Sequence, residues 1–177
     1  MRIEVKYAKN SRAKLEVKPW GVLITLREGV REDEINKIVE RHRAWIEKKY
    51  SELLESVELS KNIELVTRSE AEFKSLLEEF VKQAREILGV NPRKIVIRKM
   101  KTRWGSCNHK KGTITVNALA AYLPEHLISY IIYHEICHLI EPKHNGIFLE
   151  HIRRRYPNYK ELEKELIAYE IKLRSLE

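Results

Sequence analysis

Hydrophobic positions along the chain keep two different periods, and the switches between them lay out the elements. Near the N-terminus the period is two: Ile3, Val5 and Tyr7 alternate with charge, then Leu15 and Val17, then Val22, Ile24 and Leu26. With Lys18-Pro19-Trp20-Gly21 between the last two runs, this pattern predicts short strands joined by tight turns. A small antiparallel sheet follows, with Trp20 packed over its end.

From residue 31 to 56 the period changes to that of a helix. Ile35, Ile38, Val39, His42, Trp45, Ile46, Leu53 and Leu54 form one stripe among Glu, Lys and Arg, which predicts one long helix with His42 and Trp45 on its inward side. A short strand is expected at Ile63 to Val66. Ser69 then caps a second helix whose apolar face is Phe73, Leu76, Leu77, Phe80, Val81, Ala84, Ile87 and Leu88, stopped by Gly89 and Asn91-Pro92.

Alternation returns at Ile95 and Ile97 and continues toward Cys107. His109-Lys110-Lys111-Gly112 reads as a hairpin turn into the strand Thr113 to Asn117. The run Leu127, Ile128, Tyr130, Ile131 and Ile132 is apolar on nearly every face, as a buried helix would be. Beyond it, Gly146 to Arg155 reads as a short helix. Lys160 to Leu176 reads as a closing one, with Leu162, Leu166, Tyr169 and Leu173 inward. The fold class expected is α+β, in a single domain over 1–177: strands and a long helix over 1–60, and a core carrying the chemistry over 61–177.

Composition narrows the setting. No stretch of eighteen apolar residues occurs, and Met-Arg-Ile-Glu-Val-Lys is not a signal peptide, so a cytoplasmic protein is expected. The two cysteines, Cys107 and Cys137, give little reason for a disulfide there. The net charge of +8 is localised. Between Ile87 and Pro124 there is no acidic residue, while Arg93, Lys94, Arg98, Lys99, Lys101, Arg103, Lys110 and Lys111 fall inside it. Elsewhere 26 basic residues meet 26 acidic ones. Such a field suits an acidic substrate or a nucleic acid, or else it is a solvated basic face on a highly charged protein.

The chemistry is concentrated in His134-Glu135-Ile136-Cys137-His138. On a helix, residues four apart stand on one face with Cβ atoms about 6 Å apart, so both imidazoles reach one tetrahedral ion. Glu135 is rotated aside, where it can take a proton from a metal-activated water. Pro142 cannot continue a helix, so it is expected to end this one about a turn after His138 and let the chain return His144 as the third ligand. Glu161, Glu165 and His151 are the alternatives for that third position. Three histidines and an open position describe a catalytic zinc centre, although cobalt, nickel or manganese would also accept imidazoles.

Several of these residues together resemble a family. Thr102-Arg103-Trp104-Gly105-Ser106-Cys107, then Gly112, Ile114, Asn117 and Leu119, then Leu123-Pro124, the histidine motif with Leu139, His144 and Phe148, and Tyr156-Pro157 are similar to the YgjP-like metallopeptidases, relatives of the SprT-like zinc proteases. The resemblance implies a zincin-like fold with His134, His138 and His144 on zinc and Glu135 as general base. Where the family often has an aromatic residue after the Phe148 position, this chain has Leu149. Metzincins are excluded, because the only methionines, Met1 and Met100, precede the motif.

The reaction expected is hydrolysis of peptide bonds, the substrate lying extended along an exposed strand edge, for which Thr113 to Asn117 is the candidate. Trp104, Asn117 and Tyr133 are candidate substrate contacts. Tyr133, Tyr156, Tyr159, His151 and Arg103 are chemically able to stabilise the oxyanion. Two other expectations keep the same centre: a nucleic-acid-associated, SprT-like protein using the 87–124 segment, chiefly residues 93–111, and a metallohydrolase acting on a small amide.

Overall fold

The computed structural model describes residues 2–9, 13–18 and 21–176. They gather into two compact units, one of 1–63 with 167–177 and one of 64–166. Trp20 lies outside the described residues.

The first unit carries β1 (Arg2–Tyr7), β2 (Lys14–Lys18), β3 (Gly21–Leu26), α1 (Glu32–Arg41) and α2 (Arg43–Lys61). Period two on β3 places Val22, Ile24 and Leu26 on one face, where they bury with Ile35 of α1 and Ile46 of α2. The strand order is β1-β3-β2. β2 pairs antiparallel with β3 as expected, but β1 runs parallel to it, so the sheet is mixed. The expected long helix is two helices broken at His42, whose φ and ψ of −105° and 9° leave the helical region. That break re-phases the stripe, and His42 and Trp45 are exposed, with Ile46 taking the inward place.

The second unit opens with an irregular stretch where a strand was expected at 63–66. Val66 N–H reaches only the Tyr122 carbonyl, at 3.0 Å. α3 (Glu70–Leu88) then starts on a capping box: Ser69 accepts from the Glu72 N–H and Glu72 accepts from the Ser69 N–H. It ends at Gly89, whose φ of 70° is a left-handed conformation that a side chain would strain. β4 (Lys94–Arg98), β5 (Gly105–Asn108) and β6 (Thr113–Asn117) form a sheet in the order β4-β6-β5, followed by a 3₁₀ turn at Ala118–Tyr122.

α4 (Glu125–Cys137) is the element the unit is built on. Nine of its 13 residues are buried, as its all-round apolar sequence requires, and it packs against α3, β5, β6 and α5 (Gly146–Arg155). The last helix, α6 (Tyr159–Arg174), gives Leu162 and Leu166 to this unit and Tyr169 and Leu173 to the first, all four buried. Among the described residues no helix is long and apolar enough to cross a membrane.

Candidate metal centre

α4 ends sooner than Pro142 would require. Its last residue is Cys137, and His138 is the C-cap, still near helical at φ −67° and ψ −12°. Bonds from Leu139 N–H to Ile136 O and from Ile140 N–H to Cys137 O tighten the chain into a three-residue turn, which is what stops the helix. The imidazole of His138 then fastens the turn, its Nδ1 lying 3.1 Å from the Glu141 carbonyl. Four residues later Asn145 caps α5 by accepting from Phe148 N–H at 3.2 Å. His144 is therefore presented from a short loop fixed at both ends.

The geometry brings three imidazoles to one point. The Nε2 of His144 is 3.0 Å from that of His134 and 3.1 Å from that of His138, and one nitrogen from each ring lies within 4.8 Å of the others. Because a carbonyl only accepts, the Glu141 contact places the proton of neutral His138 on Nδ1 and leaves a lone pair on Nε2. His144 Nε2 can donate to only one of the two nitrogens that face it, so the trio cannot satisfy itself with protons. A cation at its centre would satisfy all three: tetrahedral ligands at the usual zinc–nitrogen distance lie about 3.3 Å apart. The donor set and its spacing fit such an ion.

Phe148 backs the cluster. It is 1 % exposed, with its ring centroid 4.9, 4.5 and 4.6 Å from those of His134, His138 and His144. Burial also sets the electrostatics. His134 is pulled down to about 3, chiefly by desolvation and then by the neighbouring His138 and His144, and His138 is lowered for the same first reason. Glu135, only 8 % exposed, is pushed up to about 7 by burial, while the Arg103 charge opposes the shift.

The histidines and Glu135 open onto a cleft of about 390 Å³ bordered by Arg103, Gly105, Ser106, Cys107 and His109. Its strand is β5, not the expected Thr113–Asn117. β6 sits mid-sheet because β4 pairs with it in parallel, covering the edge that a lone hairpin would leave open. Asn117 N–H donates to Trp104 O at 2.8 Å, so the antiparallel alternation turns the N–H and C=O of Gly105 and Cys107 away from β6, toward the open edge.

The other candidates are distributed differently. Asn117 is 4 % exposed, and its amide is committed to backbone: Oδ1 accepts from Met100 and Leu119 N–H, and Nδ2 donates to the Met100 and Arg103 carbonyls. It thus holds the loop that carries Arg103. Trp104 is half-buried on an adjoining cavity. Tyr133 is buried, its hydroxyl donating to the His151 carbonyl at 3.3 Å, and the Tyr156 hydroxyl pairs with Ser129 at 2.8 Å. Of the groups named for the oxyanion, Arg103 alone borders the cleft. Among the rivals to His144, Glu165 is occupied with His126 at 2.9 Å. Cys107 and Cys137 are free thiols, raised by burial to about 11 and about 12. The Glu141 carbonyl carried no signal in the sequence, since its place depends on how the chain turns after Cys137, and Phe148 was marked only by the family resemblance.

Residues 57–169 match the YgjP-like metallopeptidase domain. The chain belongs to this family. Its fold is α+β, with a small sheet packed against the histidine-bearing helix, and the YgjP-like domain is a metallopeptidase domain. Among solved structures, the metallopeptidase zymogen abylysin of Pyrococcus abyssi is similar at 28 % identity over 52 % of this chain and 92 % of that one, with a TM-score of 0.49. The metallopeptidase zymogen jannalysin of Methanocaldococcus jannaschii is similar at 26 % identity over 59 % of this chain and 93 % of that one, with a TM-score of 0.47. No curated protein matches the sequence.

Proposed function

We propose that the YgjP-like domain is a zinc-dependent endopeptidase in which His134, His138 and His144 hold one zinc ion and Glu135 is the general base. The observation that carries this reading is the convergence of three Nε2 atoms that cannot satisfy one another, beside a buried carboxylate. Bound zinc would supply the Lewis acidity that activates water and polarises the scissile carbonyl. Glu135 takes the proton of the attacking water and passes it to the leaving amine; its raised affinity for a proton suits that exchange near neutrality. Arg103 faces the charge that develops on the carbonyl oxygen. The substrate chain runs along β5, receiving backbone bonds from Gly105 and Cys107. A cleft open along a strand edge favours a polypeptide over a small amide, and two free thiols fit a reducing, cytoplasmic setting.

The test is metal analysis of untagged protein beside His144→Ala and Glu135→Gln, followed by a peptide-library screen. Near-stoichiometric zinc that survives Glu135→Gln, falls sharply in His144→Ala and accompanies cleavage of library peptides is expected. Full retention in His144→Ala would move the third ligand to Glu161 or His151, and cleavage of small amides alone would replace the substrate class.

A second reading has its own observation. All eight cations of the 87–124 segment are exposed, just before and on β4, on the loop before β5 and on the β5–β6 turn. They would bind nucleic acid beside the cleft, as in an SprT-like protein acting near DNA or RNA.

A further inference from the structure

A second cavity, of about 160 Å³, adjoins the histidine cleft: Gly105, His134 and Glu135 line both. Its remaining walls are Trp104, Tyr130, Ile131 and Leu166, apolar or aromatic, and it holds one further charge, the carboxylate of Glu163. That carboxylate is aimed. The Tyr130 hydroxyl donates to Glu163 Oε1 at 3.1 Å, Tyr130 itself is 2 % exposed, and its ring meets the His134 ring edge-on at 5.8 Å. No Lys, Arg or His forms an ion pair with Glu163 among the described residues, although its neighbour Glu165 has one with His126.

We propose that this cavity receives a lysine or arginine side chain of the substrate, next to the bond that is cut, with Glu163 as its counter-ion. The inference rests on the peptidase reading and adds the substrate class. Charge complementarity selects the occupant. Glu163 is exposed apart from its Tyr130 contact, so an aliphatic side chain in the cavity would offer its carboxylate no counter-charge, and an acidic one would meet Glu163 and Glu135 together. A basic side chain lays its methylenes on Ile131 and Leu166 and its charged head by the faces of Trp104 and Tyr130, with the carboxylate at the end.

The experiment uses otherwise identical peptides carrying Lys, Arg, Leu or Glu at each position in turn. Zinc-loaded wild type gives kcat/KM; zinc-loaded Glu135→Gln gives affinities for the same peptides by fluorescence anisotropy. At one position next to the cleavage site Lys and Arg should exceed Leu by roughly tenfold, with Glu last. Glu163→Gln, which keeps an acceptor for Tyr130, should bring the Lys-to-Leu ratio close to one, and Glu163→Lys should turn the preference toward Glu. Cleavage with no basic preference, or with one that Glu163→Gln leaves unchanged, overturns the proposal and spares the peptidase reading. Binding of basic peptides that depends on Glu163, with no cleavage by wild type, does the reverse. Neither binding nor cleavage removes both.

Discussion

Gly105 and Glu135 are in contact: a Cβ placed on Gly105 would lie 2.6 Å from Glu135 Cγ and 2.7 Å from its Oε1. No other glycine in the chain meets a side chain that closely. The missing side chain lets β5 lie against the carboxylate that the proposed mechanism needs. Gly105→Ala should therefore leave zinc content unchanged, since the histidines are untouched, and should lower kcat about 100-fold through displacement of Glu135. Overpacking adds a stability cost of about 1–3 kcal/mol, readable by urea unfolding. Activity within twofold of wild type would place the working base elsewhere.

Asn117 yields a different signature. Replacing it by alanine leaves Met100 N–H, Met100 O, Arg103 O and Leu119 N–H without their partner in a buried place. At about 1–3 kcal/mol for each group left unsatisfied, and with water repairing some, a loss of about 2–4 kcal/mol is expected in urea unfolding. Asn117→Asp should fare no better, because a carboxylate would face the Met100 and Arg103 carbonyls. A variant of unchanged stability with only KM raised would return Asn117 to the role of substrate contact.

Local chemistry was readable in the sequence where the partners are near in the chain. His134, His138 and His144 span one helix end and one loop, and Ser69 and Gly89 bound α3 as their residue types require. What required distant pairing was hidden. The parallel pairings of β1 with β3 and of β4 with β6 leave no mark in alternation, and the second of them moved the open edge from Thr113–Asn117 to β5. The break at His42 carries no glycine or proline, so the stripe looked continuous and drew Trp45 inward. Glu163 joins the site only through side chains that link α6 to α4, Tyr130 to Glu163 and His126 to Glu165, residues more than thirty positions apart in the chain.

Acid sensitivity of the zinc-free protein follows from opposed shifts. His134, held near 3, and His138, also lowered, contribute stability that is present above the unfolded histidine value near 6.5 and lost as pH falls, because the unfolded chain then takes up protons the fold refuses. Glu135, raised to about 7, contributes in the other sense: its stability is full below the unfolded value near 4.5 and lost as pH rises through 7. Between pH 6.5 and 4.5 Glu135 thus offsets part of the histidine loss. Glu135→Gln removes the offset, so its melting temperature should fall more steeply over that window than that of wild type. Parallel curves would mean that Glu135 is ionised in the zinc-free fold.

The basic segment can be separated from the centre by salt. Lys110 and Lys111 stand on the turn beside His109, which borders the cleft, so a nucleic acid held there would lie at the cleft mouth. Each phosphate neutralised on a duplex adds about 0.9 to the slope of log K against log salt. Lys110→Gln with Lys111→Gln should then reduce that slope by about two and weaken binding to unrelated sequences alike, with zinc content unaffected. Retention on a DNA or RNA matrix at 50 mM salt that disappears by 200 mM is the first sign to seek. A chain that passes through both matrices at the lower salt has its cations for solvation, and the field beside the cleft then acts only on the peptide.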